Sequence, residues 1–392
     1  MALRTLLVGF ALMAAACGGS SNAAEQPTDT LATVAALPSG PSALETPLAT
    51  VFPPPLIPPS QMFSGGPPPD GIPSIDAPSF LDVAANRDLL GPAEPVVAVE
   101  IAGEARAYPV RILIWHEIVN DTIAGVPVVV TYCPLCNSAI AFIRRVRGVE
   151  TTFGTSGSLY ASSLVMYDRA TETLWTHFDG RAVVGLLTGD ELEVVPAPLM
   201  AWDAFIERYP DGRVLDEAKT GFSRDYGRNP YVGYDADEDA FTTVPGFLDT
   251  REAAKERVVG VDIEAQQRAY RLSSLSSADG VAVISDTLDG VDIVVLWQEG
   301  QASALDTESI EAGRDVGTVG VFLREVTGRQ LTFSVVGRRI VDAETGSIWS
   351  AAGIAITGEL AGTELTRVNH FDTYWFAWST FKPATTVYEP GS

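Results

Sequence analysis

Two cysteines stand three positions apart in the segment TYCPLCNSAIAF, at positions 131 to 142. Cys133 and Cys136 are two of only three cysteines in a chain of 392 residues. This spacing suits thiol–disulfide exchange, because a thiolate next to a second thiol can form and break a disulfide with it. The same spacing is half of a common site for Zn(II) or Cu(I). The pair is therefore the first candidate for chemistry.

Three interpretations of the pair stay open on the sequence alone. In the redox interpretation, Cys133 and Cys136 are catalytic thiols, and a helix that begins at NSAIAF stabilises the thiolate by its dipole, although NSAIAF also fits a strand. In the metal interpretation, His116 and His177 join the cysteines as ligands of a Cu or Zn ion. In the third, the pair is an inert structural disulfide of a non-catalytic envelope or binding module. The sequence therefore leaves open whether the protein is an enzyme.

Two further polar segments deserve comparison with the pair. His116 lies in WHEIVND, where it shares a helical face with Asn120, so it fits either a polar site or a hydrogen-bonded histidine in a packed interface. FGTSGSLYASS offers Ser156 or Ser158 as a nucleophile, but the sequence shows no base for either, and a tight turn is favoured there.

The N-terminus predicts export. Arg4 precedes an apolar stretch and a run of alanines that ends at Cys17, as in the lipobox of bacterial lipoproteins. We expect a lipoprotein-type signal peptide over residues 1–17 and a lipid on Cys17, with an ordinary signal peptide as the alternative. The protein is then extracytoplasmic, anchored to the cell membrane, and its remaining cysteines lie in an oxidising compartment.

Composition separates a tether from a globular part. Residues 18–70 are rich in Pro, Ser and Ala without sustained periodicity, which predicts a disordered tether. No later segment is long and apolar enough for a transmembrane helix. The net charge of −24 argues against a nucleic-acid partner, which would require concentrated Lys and Arg. Apart from the membrane, no partner is indicated.

The globular part repeats itself. VVAVEIAGEARAY (96–108) matches VVGVDIEAQQRAY (258–270), and other segments match in the same order. They predict a duplicated unit of about 120 to 130 residues, with a first repeat over 71–245 and a degenerate second repeat over 246–392.

The local pattern predicts mostly strands in each repeat. Short β-branched runs are punctuated by Gly and Asp, and helices are expected only at 112–121 and 200–210. The fold class is therefore α+β, β-rich, with two pseudo-equivalent halves from an internal duplication.

The second repeat serves as a control for the thiols. Its matching positions keep the small residues around the motif but lose both cysteines and the histidine of WHEIVND. We therefore expect the site in the first half only, with the second half as a scaffold or lid. Cys133 aligns with Gln298, Cys136 with Gln301, and Ser138 with Ser303.

Several unusual motifs occur together in the first half. They are TYCPLCNSAIAF, HEIVND, FGTSG, YDRATETLW, GIPSID (71–76) and RDYGRNPYVGYD (224–235). In this arrangement the chain resembles a prokaryotic family catalogued as domain of unknown function 3179. The resemblance covers about Gly71 to Asp235, and the second half resembles a degenerate relative of the first. The family has no established activity, so the resemblance implies neither catalytic residues nor a substrate.

Overall fold

Short β-branched runs form strands throughout a computed structural model of the protein, which describes residues 36–237 and 248–390. The signal peptide, Cys17 and the first part of the tether lie outside the described residues. The β-rich fold class is confirmed, since strands far outnumber helices. Within the described ranges, no helix is long and apolar enough to cross a membrane.

The first half contains two short helices, α1 (Val110–His116) and α2 (Trp202–Arg208). Its strands are β1 (Phe63–Ser64), β2 (Phe80–Asp82), β3 (Pro95–Ile101), β4 (Glu104–Pro109), β5 (Ile118–Ile123), β6 (Val126–Cys133), β7 (Ser138–Ile143), β8 (Arg145–Val146), β9 (Val149–Glu150), β10 (Phe153–Tyr160), β11 (Ser163–Asp168), β12 (Leu174–Thr176), β13 (Ala182–Val184), β14 (Val194–Val195), β15 (Leu199–Ala201) and β16 (Arg213–Leu215).

The second half contains helices α3 (Leu272–Leu275) and α4 (Trp375–Phe381). Its strands are β17 (Arg257–Ile263), β18 (Gln266–Arg271), β19 (Val281–Leu288), β20 (Val291–Gln298), β21 (Thr318–Leu323), β22 (Glu325–Val326), β23 (Arg329–Gln330), β24 (Phe333–Val335), β25 (Ile340–Asp342), β26 (Ile348–Trp349), β27 (Ala355–Thr357), β28 (His370–Tyr374) and β29 (Thr386–Val387).

Strand order in the first half recurs in the second. The sheet β15-β3-β4-β16, to which β2 adds an edge, has the order of β28-β17-β18-β29, and the pairs β4/β16 and β18/β29 are both parallel. Sheet β14-β7-β6-β5 corresponds to β21-β20-β19. Sheet β10-β11-β12-β13, extended by β1, corresponds to β24-β25-β26-β27. Side chains from both halves share one hydrophobic core, which includes Phe142, Trp175 and Trp375.

A buried aspartate occupies the same setting in each half. Asp168 accepts hydrogen bonds from Trp175 Nε1 at 3.0 Å and from the threonine three residues on. Asp342 likewise accepts from Trp349 Nε1 at 2.9 Å and from the threonine three residues on. Both carboxylates are fully buried, so these donors replace water as their hydrogen-bond partners.

Two local expectations differ from the structure. The helix expected over 112–121 begins at Val110 and ends at His116, because Glu117 is left-handed with φ of 57° and the β-branched residues after it form β5. The described part of the tether, residues 36–70, is packed rather than disordered. Ala43 is buried, and Leu56 N–H donates to Val183 O at 3.0 Å. Apolar residues spread singly along this segment find partners on the β10–β13 sheet.

We expect Asp342→Asn to lower the free energy of unfolding at neutral pH by about 2 kcal/mol, because hydrogen bonds to a charged group each contribute about 1.5–3 kcal/mol. Burial by itself raises the pKa of Asp342, but hydrogen bonds from Trp349 and Thr345 outweigh it and leave the pKa below its ordinary value of 3.8. The carboxylate therefore stabilises the fold above that pH, and this contribution is lost as the pH falls through the folded pKa. Urea denaturation at neutral and acid pH measures both effects.

The matched control is Asp279→Asn, at an exposed position, which should leave stability unchanged at either pH. Equal losses in the two variants, or a loss in Asp342→Asn that persists undiminished in acid, would contradict the assigned role.

Candidate functional site

The two cysteines lie on a tight turn between β6 and β7. The strands pair with Cys133 opposite Ser138, so the chain reverses within residues 134–137. Asn137 is left-handed with φ of 48°, a conformation that asparagine tolerates better than most residues. The turn brings Cys136 back beside Cys133. Both are buried free thiols in the structure, so the structural disulfide of the third interpretation is not formed here.

A continuous line of hydrogen bonds runs from Cys136 into the interior. Cys136 Sγ lies 2.9 Å from Ser138 Oγ, which lies 2.9 Å from His177 Nε2. His177 Nδ1 lies 2.7 Å from Thr131 Oγ1, and the Thr131 hydroxyl donates to Ile140 O at 2.7 Å. The four side chains are completely buried. Neighbouring protein groups, rather than bulk solvent, therefore decide where their protons lie.

One hydrogen bond along this line determines which atom donates in each of the others. Since the hydroxyl proton of Thr131 is used by Ile140 O, Thr131 Oγ1 accepts a hydrogen bond from His177 Nδ1–H. The neutral imidazole then accepts the Ser138 hydroxyl proton at Nε2, and Ser138 Oγ accepts from Cys136 Sγ–H. Loss of the Cys136 proton shifts each proton one step along the line. The products are a thiolate at Cys136 and an imidazolium at His177.

The two thiols differ in acidity. Burial by itself raises the pKa of Cys136, but hydrogen bonds from three side chains outweigh burial and leave the pKa below that of an ordinary cysteine. Burial raises the pKa of Cys133 well above its ordinary value, and the hydrogen bond to Cys136 raises it further. Cys136 is therefore the thiol that ionises first. The three side chains are those of Cys133, Ser138 and Ser163.

The redox interpretation expected a helix dipole to stabilise the thiolate, but the lowered pKa of Cys136 has a different cause. After Asn137, the segment NSAIAF forms strand β7 and not the start of a helix, so it supplies no helix dipole to the thiol. Burial lowers the pKa of His177, so the imidazole is neutral and its Nε2 can accept a hydrogen bond from the Ser138 hydroxyl.

The tip of the β10–β11 hairpin packs against both thiols. Ala161 and Ser162 are left-handed, with φ of 50° and 59°, where glycine or asparagine is usual. Ser162 O accepts from Cys133 Sγ–H at 3.9 Å, and Ser163 Oγ lies 3.6 Å from Cys136 Sγ. Such a conformation costs on the order of 1 kcal/mol or more per residue. The surrounding packing holds the tip against the cysteine turn in spite of this cost.

A cavity of about 230 Å³ lies beside the turn. Cys133 lines the cavity, whereas Cys136 is not among the lining residues. A small molecule that enters therefore meets Cys133 first. The wall is mostly apolar, with side chains of Pro67, Ile72, Leu135, Leu159, Leu164 and Tyr231.

Glu117 supplies a buried carboxyl to the same cavity. Its N–H donates to Leu113 O at 2.7 Å, and its left-handed conformation ends α1. The residue is only 8 % exposed, and among the described residues its carboxyl has no hydrogen-bond partner. Burial raises the pKa of Glu117 well above its usual range, and the neighbouring Cys133 raises it further. The protonated form is therefore favoured.

His116 belongs to a packed interface. Its Nδ1–H donates to Pro73 O at 2.8 Å, and its Nε2 accepts from the Tyr226 hydroxyl at 2.7 Å. The ring also lies 4.9 Å from the ring of Phe222. Burial lowers the pKa of His116, so the neutral form is favoured. Both ring nitrogens are occupied, and neither faces a cysteine.

The predicted metal ligands do not meet. Within residues 36–237 and 248–390, no three His, Cys, Asp or Glu side chains are grouped so that they could hold a metal ion. His116 bonds elsewhere, and His177 reaches Cys136 only through Ser138. The structure therefore gives no support to His116, His177, Cys133 and Cys136 as one set of ligands for Cu or Zn.

The second half closes over the cysteine turn. Thr373 Oγ1 donates to Cys136 O at 2.8 Å, and Tyr374 N–H donates to the same oxygen at 3.1 Å. Tyr234, near the end of the first half, donates its hydroxyl proton to Leu135 O at 2.8 Å. These bonds fix the backbone of the turn and leave both thiols free to bond within the first half.

The equivalent turn of the second half carries no thiol. Gln298 is exposed, and buried Gln301 accepts at Oε1 from Thr318 Oγ1 at 3.1 Å. A larger cavity of about 630 Å³ is lined by Gln298 and Thr318. A thiol beside a cavity is thus a feature of the first half.

Sequence reasoning missed three residues of this site. Because Ser138 matches Ser303 in the second half, the sequence favours a structural role for Ser138 and does not indicate its contact with Cys136. Thr131 and Cys133 lie two positions apart, on one face of β6, which is the only local signal for Thr131. For Glu117, nothing in the sequence distinguishes the residue from other acidic residues beside a histidine.

We expect Ser138→Ala to raise the pKa of Cys136 by about one to two pH units. A hydrogen bond to a charged group contributes about 1.5–3 kcal/mol, and one pH unit corresponds to about 1.4 kcal/mol. Thiolate absorbance followed against pH in a Cys133→Ser background measures this pKa. The matched control is Ser158→Ala, because Ser158 lines the cavity and the serines that contact the Cys136 thiol are Ser138 and Ser163. An unchanged pKa in Ser138→Ala would remove Ser138 from the path of the proton.

The comparisons with known proteins agree with the motifs. A family model described as "Protein of unknown function (DUF3179)" matches residues 69–385. No curated protein and no solved structure matches the chain. The match extends beyond Asp235 and covers both halves, so the second half is part of the family's unit. The chain belongs to the DUF3179 family.

Proposed function

We propose that the protein is a thiol–disulfide oxidoreductase whose dithiol is Cys133 and Cys136. The observation that carries the proposal is the hydrogen-bonded line from Cys136 through Ser138 to His177, directly behind a cavity that Cys133 lines. A thiolate is the reactive form of cysteine, and this line gives the Cys136 proton a place to go. The arrangement thus provides an entry thiol and an activated second thiol.

The exchange proceeds in two displacements. Cys133 Sγ attacks one sulfur of a substrate disulfide R–S–S–R′, the S–S bond breaks, and R′SH leaves with one proton. Cys136, after passing its proton through Ser138 to His177, attacks Cys133 Sγ and displaces RS⁻, which is then protonated. Two electrons pass from the dithiol to the substrate, and the Cys133–Cys136 disulfide remains. The reverse sequence oxidises two thiols.

The motifs that carry the family resemblance support this site because five of them line the same cavity. A set of motifs spread over 160 residues of strand and loop meets at one small space, which is typical of a functional site rather than of a core. The contributions are Ile72 from GIPSID, Glu117 from HEIVND, Cys133 from TYCPLC, Thr155 from FGTSG and Tyr231 from RDYGRNPYVGYD.

The proposal includes export and a lipid anchor at Cys17. Its support is the N-terminal sequence, in which an apolar stretch and small residues precede that cysteine. In an oxidising compartment other disulfides persist, and a protein dithiol can exchange with them.

The proposal also includes an internal duplication. It is supported by the recurrence of strand order and by the aspartate–tryptophan pairs of Asp168 and Asp342. A second set of hydrogen bonds, between an arginine, a tyrosine and an aspartate, also occurs in both halves. Arg106 and Tyr108 bond Asp121, as Arg268 and Tyr270 bond Asp286. On this proposal both copies retained the arrangement of strands, and the first copy alone retained the two thiols.

Reaction with hydroxyethyl disulfide should distinguish the two cysteines. We expect the unaltered protein to end as the Cys133–Cys136 disulfide, and Cys136→Ser to stop at a mixed disulfide on Cys133. Cys133→Ser should react at least about tenfold more slowly, because the remaining thiol does not face the cavity. Mass spectrometry identifies each product.

The matched control for that experiment is Gln298→Ser, at the position equivalent to Cys133, which should leave the reaction unchanged. Equal reactivity of the two single cysteine variants, or the absence of any internal disulfide in the unaltered protein, would refute the assignment.

We expect Cys17→Ser to move the protein from the membrane fraction to the soluble fraction, because the variant has no thiol to acylate. Fractionation with radiolabelled fatty acid measures anchoring and lipidation together. Cys133→Ser, which leaves the N-terminus intact, is the control and should remain in the membrane fraction. Continued labelling of Cys17→Ser would exclude Cys17 as the lipidated residue.

A further inference from the structure

The exchange between Cys133, Cys136 and a disulfide leaves Glu117 without a role, yet within the described residues Glu117 is the one carboxyl that lines the thiol cavity. The residue is only 8 % exposed, and no described residue hydrogen-bonds its carboxyl. The carboxyl oxygens are not sealed off from the cavity, so a molecule that enters it can supply the hydrogen bond that the protein does not. Whatever occupies the cavity beside Cys133 therefore contacts this carboxyl.

We infer that Glu117 is a catalytic acid that protonates the departing sulfur, and that the substrates are small uncharged disulfides with alkyl thiols as leaving groups. This inference rests on the proposed dithiol exchange.

A protonated carboxyl can serve the first displacement with both oxygens. Its carbonyl oxygen accepts the proton of Cys133 as Cys133 Sγ attacks, while its hydroxyl gives a proton to R′S⁻ as the S–S bond breaks. One proton thus passes from Cys133 to R′SH, and Glu117 is unchanged afterwards. This route removes the need for a Cys133 thiolate, which burial disfavours. In the second displacement Glu117 protonates RS⁻, His177 releases the Cys136 proton to solvent, and solvent reprotonates Glu117.

The cavity wall favours uncharged substrates. Among the residues that line the cavity in the described ranges, none is a lysine or an arginine. A carboxylate or phosphate on a substrate would therefore enter a mostly apolar space with no cation to pair with, which disfavours its binding. The volume of about 230 Å³ is also below the usual size of a drug-like pocket, roughly 300–1,000 Å³, which favours small molecules over folded protein partners.

The leaving group provides the test. An alkyl thiolate is a poor leaving group and benefits from an acid, whereas the thiolate released from dithiodipyridine leaves readily without one. Both hydroxyethyl disulfide and dithiodipyridine are uncharged at neutral pH. We expect Glu117→Gln to slow oxidation of the dithiol by hydroxyethyl disulfide by about 100-fold. Oxidation by dithiodipyridine should slow much less, because it loses only the acceptor for the Cys133 proton and needs no acid for its leaving group. Glu117→Asp, which keeps the acid, should recover part of the rate with hydroxyethyl disulfide.

Each outcome is decisive. A selective loss with the alkyl disulfide supports the inference, whereas equal losses with both probes, or no loss with either, would overturn it. If Glu117→Gln does not fold, the pH dependence of the unaltered protein decides. Its rate with hydroxyethyl disulfide, but not with dithiodipyridine, should then stop rising with pH once Glu117 ionises, and parallel pH profiles would overturn the inference. An unaltered dithiol that neither probe oxidises refutes the proposed function instead.

Discussion

Pairing of the buried polar groups between Cys136 and Thr131 is the constraint on which the site depends. Cys136, Ser138, His177 and Thr131 lie on three separate strands or their ends, and each supplies what its neighbour lacks. Since an unpaired buried donor or acceptor costs about 1–3 kcal/mol, the fold must hold these strands in register for the line to exist at all. The same register holds a mobile proton within reach of a sulfur atom.

The architecture separates access from activation. Cys133, at the end of β6, faces the cavity, while Cys136, three residues on, faces the buried line of donors. Two sheets and a hairpin tip meet at the turn between them, and the left-handed residues Asn137, Ala161 and Ser162 direct the chain there. One thiol therefore lines a cavity, while the other forms hydrogen bonds with the protein interior. A four-residue motif alone has no such division of roles.

Much of the fold could be predicted from local pattern, and less of the site. The buried run of β6 and the helix α2 follow from hydrophobic periodicity, and the closeness of Cys133 to Cys136 follows from their spacing. The contact between His177 and Ser138 joins residues 39 positions apart in sequence, so no local pattern contains it. Packing of residues 36–70 was missed for a related reason. Isolated apolar residues such as Ala43 show no periodicity in the sequence, and they become buried only when they pack against a folded sheet.

The two bonds from Thr373 and Tyr374 to Cys136 O have a consequence for how the protein can be divided. All the residues of the thiol line belong to the first half, so a shortened chain ending before β17 would include every reactive atom. Such a fragment would nevertheless lose the clamp on the backbone of the cysteine turn and expose the shared core around Trp175. The second half therefore supports the cysteine turn although it contributes no thiol, and removing it would disturb the first half.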